Sequence, residues 1–95
     1  MEAKYIAQIP YLEPLDKVVV QGTLLNVYAL EGDDLLRLHC DDGIVDETIY
    51  LHKKAIDFEE LQNFIGKEIL AEGFISLITR NKQKSIFCFD IKLKN

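Results

Sequence analysis

Residues 17–28 have the pattern of one long β-strand with a single interruption, in the order Lys17-Val18-Val19-Val20-Gln21-Gly22-Thr23-Leu24-Leu25-Asn26-Val27-Tyr28. β-Branched and aromatic residues of this kind are typical of strands. At a period of two residues, the face that begins at Val18 includes Leu24, but Val27 joins it only after a slip of one residue. We therefore predict a bulge or a sharp bend near Leu25-Asn26. Gly22 fits this prediction, because a glycine inside a strand often marks strong curvature.

Four more strands and one short helix are predicted after this first strand. Asp57 and Glu60 have the spacing of a helix capping box, and Gly66 stands where a left-handed C-terminal cap is expected, so the helix has about ten residues. Turns are predicted at residues 31–34 and 41–43, because the Asp-Gly pair of the second one readily adopts the positive φ of tight hairpins. The later strands are predicted at residues 35–41, 47–52, 68–79 and 85–93.

Alternation within these strands separates a core face from a solvent face. The residues predicted to face the core are Leu36, Leu38, Cys40, Ile49 and Leu51 in the second and third strands, and Ile69, Ala71, Gly73, Ile75 and Leu77 in the fourth. The outward residues are Leu35, Arg37, His39, Thr48, Tyr50 and His52, followed in the fourth strand by Leu70, Glu72, Phe74, Ser76 and Ile78. In the fifth strand, the alternating residues predicted to share one face are Phe87, Phe89, Ile91 and Leu93.

Residues 1–16 are predicted to form an N-terminal strap, and residues 17–95 the folded domain. Pro10 and Pro14 favour an extended or turning segment over a helix. The segment also carries too many apolar side chains for a solvated tail, namely Tyr5, Ile6, Ile9, Tyr11, Leu12 and Leu15. We therefore expect the strap to lie on the domain.

Composition restricts the classes of protein that the chain can be. It has 95 residues and a formal net charge of −5, and 48% of its residues are hydrophobic, so one ordinary core is expected and wholesale disorder is excluded. No apolar run approaches the roughly 20 residues that span a bilayer, and residues 1–5 lack the basic and apolar parts of a signal peptide. A soluble, cytoplasmic protein is expected. Cys40 and Cys88 are predicted to be free and buried, since two cysteines make no disulfide framework.

The order strand, strand, strand, helix, strand, strand resembles the oligonucleotide/oligosaccharide-binding (OB) fold, a mainly β, five-stranded Greek-key barrel with one short helix. The stretches Val18-Val19-Val20-Gln21-Gly22-Thr23-Leu24 and Ile69-Leu70-Ala71-Glu72-Gly73-Phe74-Ile75 are similar to the first and fourth strands of single-strand-binding and tRNA-anticodon-binding OB domains. An SH3-like barrel usually lacks a full helix before its fourth strand, and a β-grasp normally places its helix after two strands. The resemblance is to the superfamily and to no particular family within it.

The resemblance implies a ligand site on the outward face of the second and third strands and on the loop after the fourth. On this chain the corresponding residues are Arg37, His39, Tyr50, His52, Arg80, Lys82 and Lys84. An aromatic ring can stack on a base, and cations can follow the phosphates of a single strand. Solvated strand residues and a solvated basic loop are the alternative interpretation, and the acidic turns at residues 31–34 and 41–42 repel phosphate. The predicted partner is therefore a single-stranded nucleic acid that binds weakly.

A second surface points to a protein partner. Leu70, Phe74 and Ile78 are apolar residues on the outward face of the fourth strand. Either the strap covers them or another protein does, including a second copy of the chain. Small acidic OB domains that resemble accessory subunits of single-strand-binding complexes contribute an interface of this kind.

The sequence predicts neither a catalytic site nor a metal site. His39 and Cys40 are adjacent in a strand, so they point to opposite faces and are not expected to share a metal ion. Neither cysteine belongs to a motif that pairs it with a base, and no glycine-rich phosphate loop is present. We expect a non-enzymatic module without a metal or cofactor, which binds single-stranded nucleic acid or, as the alternative, docks a protein through the fourth strand.

Overall fold

The computed structural model describes residues 3–29, 32, 34–43, 46–78 and 83–94, without the side chains of Asp46, Glu47, Ile78 and Gln83. Its elements are β1 (Ala3–Tyr5), a 3-10 helix (Ile6–Tyr11), β2 (Lys17–Ala29), β3 (Leu35–Asp41), β4 (Asp46–His52), α1 (Phe58–Gln62), β5 (Glu68–Ile78) and β6 (Gln83–Leu93). None of the helices in these ranges is long and apolar enough to cross a membrane.

The strands form a closed barrel with the topology of the OB fold. The order across the sheet is β1-β2-β3-β4-β6-β5, and pairing of β2 with β5 closes the barrel. Neighbours are antiparallel except at β1–β2 and at β4–β6, where Tyr50 pairs with Phe87 and Leu51 with Cys88. The predicted fold class, with its five barrel strands and one helix between the third and fourth, is confirmed.

The first barrel strand, β2, bends as its sequence predicts. The register with β3 shifts between Leu24 and Asn26, so that Val18, Leu24 and Val27 are all buried. Residues 17–23 pair with β5, and residues 23–24 and 26–29 pair with β3. One long strand can therefore pair with β5 along its first part and with β3 along its last part, and these two pairings close the barrel.

The core is built from the inward faces of all five barrel strands, from Leu61 of α1 and from Ile6 and Ile9 of the 3-10 helix. Alternation in β3, in β4 and in β5 as far as Ile75 matches the sequence prediction, whereas Leu77 is 48% exposed. Both cysteines are free and buried, as expected. The buried apolar side chains are Ile6, Ile9, Val18, Val20, Leu24, Val27, Leu36, Leu38, Cys40, Ile49, Leu51, Leu61, Ile69, Ala71, Ile75, Ile86, Cys88 and Ile91.

The helix α1 is shorter than its sequence pattern predicts. It ends at Gln62, and a turn then leads to Gly66, whose φ is +87°. The capping-box prediction is wrong, because the Asp57 side chain makes no cap hydrogen bond. Leu61 enters the core, and the Gly66 amide donates to the Leu24 carbonyl at 2.7 Å. The segment is thus stabilised mainly by its contacts with the barrel, because a helix of this length is not stable by itself.

The N-terminal strap runs from β2, with which β1 pairs, to the start of β6, where Lys84 donates to the Pro10 and Leu12 carbonyls. Ile6 and Ile9 are buried in the core, and the Asp42 carboxylate accepts the Ala7 amide hydrogen at 2.6 Å. The strap passes close to β2 at Gly22, where an added Cβ would lie 2.8 Å from Ile6 Cδ1 and 3.0 Å from the Asp41 carbonyl oxygen. Glycine at this position makes room for the strap.

The last strand, β6, contradicts the prediction that its phenylalanines share one face with Ile91. Ile86, Cys88 and Ile91 are buried, whereas Phe87 and Phe89 point outward. The β5–β6 register shifts between Glu72 and Gly73, which pair with Asp90 and Cys88, so Phe89 is an extra residue in a bulge. A bulge changes which alternate residues face inward, and a strict period of two residues does not foresee it.

Candidate nucleic-acid interface

Five outward side chains form a row across the barrel, which we call the outer row. In consecutive register pairs it runs from Arg37 on β3 to Tyr50 on β4, Phe87 on β6, Phe74 on β5 and Lys17 on β2. Directly opposed residues on neighbouring strands present their side chains on the same face, close enough to contact each other. The row therefore places three aromatic rings between two cations.

A groove accompanies the Arg37 half of the outer row. It has a volume of about 330 Å³ and is lined by Leu35, Arg37, Tyr50, Ser76, Leu77, Ser85, Ile86 and Phe87. The Ser85 hydroxyl donates to the Thr48 carbonyl at 3.0 Å, which ties β6 to β4 beside the groove. The groove thus combines an apolar floor, two aromatic rings and a guanidinium on a rigid sheet, which suits a flat apolar ring carrying a nearby negative charge.

The two histidines of the predicted site lie at the margins of this face. His39 pairs in register with Thr48, and His52 with Leu35. The Nδ1 atom of His52 accepts the Lys54 amide hydrogen at 3.1 Å, so the neutral ring carries its proton on Nε2. His52 is consequently held in one orientation with Nε2 as its available donor.

Of the three cations predicted in the loop after the fourth strand, the structure describes Lys84. Its ammonium donates to the carbonyls of Leu12 at 2.8 Å and Pro10 at 3.2 Å, so it fastens the strap to β6. Arg80 and Lys82 lie outside the described residues. The charge that the structure places in the groove is therefore that of Arg37.

Phe87 is the residue of this site that the sequence pattern missed. It was predicted to share a face with Ile91, yet it is 38% exposed and lines the groove opposite Tyr50. The stretch Ile86-Phe87-Cys88-Phe89 is apolar on both faces, so alternation alone fits two opposite arrangements. The sequence holds no signal that separates the two arrangements, because the register that places Gly73 opposite Cys88 is known only from the structure.

The residues predicted to dock a protein are only partly described. Leu70 is half-buried, Phe74 is 45% exposed, and the Ile78 side chain lies outside the described residues. The last residues of the strap bond to the backbone of Ile75, next to Phe74, but they leave the Phe74 ring exposed. Phe74 instead contacts Phe89, with ring centroids 5.5 Å apart.

Burial keeps both cysteines in the neutral thiol form near neutral pH. Burial raises the pKa of Cys40 to about 12 and raises the pKa of Cys88 further, with the neighbouring Cys40 adding to the second effect. The reactive form of a cysteine is the thiolate, which is scarce at neutral pH for such groups. His39 stands on the outer face while Cys40 is buried, and the described residues contain no cluster of three side chains that could hold a metal ion.

No family model and no curated protein matches the chain. Solved structures do match it over nearly its full length. Asparaginyl-tRNA synthetase from Pyrococcus horikoshii, in complex with asparaginyl-adenylate, aligns with a TM-score of 0.73 and 14% identity, covering 98% of this chain and 22% of that one. RecG bound to a three-way DNA junction aligns with a TM-score of 0.72 and 18% identity, covering 98% of this chain and 12% of that one.

A third similar structure is close to this chain in length. OBody AM3L15 bound to hen egg-white lysozyme aligns with a TM-score of 0.69 and 18% identity, covering 97% of this chain and 92% of the OBody. The chain thus spans about a fifth of the synthetase and an eighth of RecG, but nearly all of the OBody. Together with the strand order, these likenesses establish that the chain has the OB fold.

Proposed function

We propose that the chain is a non-catalytic OB module that binds single-stranded nucleic acid weakly through the outer face of β3, β4 and β6. The observation that carries the proposal is the groove in which Tyr50 and Phe87, direct register partners, stand beside Arg37. Stacking of a base on an aromatic side chain contributes about 1–3 kcal/mol, largely independent of sequence. A base in the groove would stack on these rings while its phosphate pairs with the guanidinium.

Charge limits the strength of such binding. The net charge of the chain is −5, and Lys84 donates to strap carbonyls. We therefore expect Arg37 to make the phosphate contact within the groove. His39 and His52 lie at the margins of the groove, and Arg80 and Lys82 are further predicted phosphate contacts. A short footprint and strong dependence on salt follow, because phosphate contacts dominate that dependence.

The similar structures are consistent with this proposal. RecG was solved on a three-way DNA junction, and asparaginyl-tRNA synthetase is a tRNA-charging enzyme by its name. Each shares with this chain a barrel that spans a small part of its own length. We take the shared barrel as a binding module and assign it no catalytic step.

Fluorescence anisotropy of a labelled oligonucleotide of about 15 residues tests the proposal. With single strands each phosphate contact contributes about −0.7 to the log-log slope of affinity on salt, so three contacts give about −2 between 50 and 200 mM. Arg37→Gln should lower the affinity and make the slope shallower by about 0.7. Absence of binding at 50 mM salt, even at high micromolar protein, would overturn the proposal.

Substitution of the two rings tests stacking separately from charge. Tyr50→Ser and Phe87→Ser should each weaken binding by about tenfold while leaving the salt slope unchanged, since no phosphate contact is lost. Phe58→Ser is the matched control, because Phe58 has the same 38% exposure as Phe87 and lies on α1. Equal losses for Phe58→Ser and Phe87→Ser would show that the groove is not the site.

A further inference from the structure

The outer face of β5 and β6 carries a second aromatic feature, beyond the groove. Phe74 is 45% exposed and Phe89 is 43% exposed, and their rings are in contact. The Lys17 ammonium lies 5.8 Å from the centroid of the Phe89 ring. Two large rings that pack on each other and stay open to solvent are typical of a protein interaction surface.

A depression lined by two carboxylates and one ammonium lies beside the two rings. It has a volume of about 280 Å³ and is lined by Ala3, Val19, Leu70, Glu72, Asp90 and Lys92. Glu72 and Asp90 are direct partners in the β5–β6 register. Like charges that face each other on neighbouring strands destabilise a sheet, so a cation placed between these carboxylates would be stabilising.

The charges around the depression favour a cationic partner over one that carries phosphates. Lys17 already pairs with Glu72 at 3.6 Å, and Lys92 lines the depression, so the margin carries both signs. The whole chain is nevertheless acidic, with a net charge of −5, and its field attracts cationic partners. Phosphates would be repelled by Glu72 and Asp90, which lie next to the rings.

We infer that this surface, formed by Leu70, Glu72, Phe74, Phe89 and Asp90 and called here the Phe74 surface, binds a basic segment of another protein. A bulky apolar side chain of that segment packs on the Phe74 and Phe89 rings. An adjacent arginine or lysine enters the depression, with its aliphatic stem along Leu70 and its charge at Glu72 and Asp90. Arginine fits best, because a planar guanidinium can bond two carboxylates and stack on a ring.

Selection of peptides from a random library tests the inference, because it requires only the chain itself and no identified partner. The full chain is immobilised, a phage-displayed library of random linear peptides is selected on it, and the enriched peptides are synthesised with a dye. We expect them to join a bulky apolar residue to arginine or lysine. Their affinity should fall roughly threefold to tenfold for Glu72→Gln/Asp90→Asn, the effect of two exposed ion pairs, and about tenfold for Phe74→Ser.

Matched variants separate the surface from general effects. Tyr28→Ser removes an aromatic side chain that is as exposed as Phe74, at 45%, and Glu59→Gln/Glu60→Gln removes two carboxylates on α1. Both should leave the peptide affinity unchanged. Circular dichroism and urea unfolding of each variant distinguish loss of the surface from loss of the fold.

Several results would overturn the inference. They are failure to enrich any peptide, enrichment of peptides without basic residues, and equal affinity for the Glu72→Gln/Asp90→Asn variant. A dimer in analytical ultracentrifugation that Phe74→Ser dissociates would make the occupant a second copy of the chain. Loss of oligonucleotide affinity in Phe74→Ser, with peptide binding absent, would assign the surface to nucleic acid.

Discussion

At Gly73 the backbones of β5 and β6 approach each other closely. An added Cβ would overlap the Phe87 carbonyl oxygen and lie 2.7 Å from the Cys88 Cα, both of which are backbone atoms. The register shift of the β5–β6 ladder falls at the same place. Close packing at Gly73 thus accompanies the bulge that turns Phe89 outward.

We expect Gly73→Ala to lower the free energy of unfolding by about 3 kcal/mol or more, because a backbone clash cannot be relieved by a change of rotamer. Urea unfolding followed by circular dichroism measures this change. Gly43→Ala is the comparison, since no atom lies within 4 Å of its added Cβ and only the φ of +91° is unfavourable, at a cost of about 1–2 kcal/mol. A smaller loss for Gly73→Ala than for Gly43→Ala would contradict the close approach.

At the scale of elements, the strap contributes two side chains to the barrel's core and is attached by both side-chain packing and backbone pairing. Ile6 and Ile9 are buried, whereas Tyr11 in the same 3-10 helix is 85% exposed. Backbone bonds continue the attachment, because the Leu15 amide donates to the Ile75 carbonyl at 2.8 Å and the Ile75 amide to the Asp16 carbonyl at 3.0 Å. The apolar composition of residues 1–16 predicted a docked segment, but not the place on the barrel where it docks.

Truncation of the strap's buried side chains should therefore behave as a core substitution. Ile9→Ala is expected to lower the free energy of unfolding by about 2–4 kcal/mol through lost burial and the cavity left behind. Tyr11→Ala should change it by less than about 0.5 kcal/mol, as is usual at exposed positions. Urea midpoints at constant m-value give both numbers. Equal, small effects would mean that the strap adds nothing to the core.

At the scale of the whole molecule, the barrel encloses both of its thiols in neutral form. Burial raises the pKa of Cys40 to about 12 and also raises the pKa of Cys88. The native state therefore keeps these protons at pH values where the unfolded chain, with a pKa near 9.0, has released them. Because the unfolded state then binds fewer protons, stability falls as the pH rises above the unfolded pKa.

Between pH 8.5 and 10, the two thiols together should lower the free energy of unfolding by about 2 kcal/mol. Below pH 8 their contribution is complete and does not vary. Urea unfolding at the two pH values, compared with Cys40→Ala/Cys88→Ala, isolates this effect from the titration of Lys and Tyr. The double variant should lose less stability over the same interval. An identical loss in both proteins would show that the thiols are not shielded in the native state.

Much of the barrel was predictable from the order of amino acids. A period of two residues in β3, β4 and most of β5 identified their inward faces, and the slip near Leu25-Asn26 located the bend of β2. Arg37 and Tyr50 were predicted on the outward face for the same reason. These features follow from local alternation, which the pleat of a strand translates directly into facing.

Other features required the tertiary structure. Both faces of residues 86–89 are apolar, so the sequence could not indicate that Phe87 lines the groove or that Phe89 lies on Phe74. The hydrogen bonds from Lys84 to the strap join residues that are far apart in the chain. The turn after α1 is likewise held by non-local contacts, because Gly66 and Lys67 bond to the backbone of Leu24. Local alternation in the sequence determined which side chains share one face of a strand. Packing around Gly73 and the closure of the barrel decided which face is buried where both are apolar, because only non-local contacts distinguish two apolar faces.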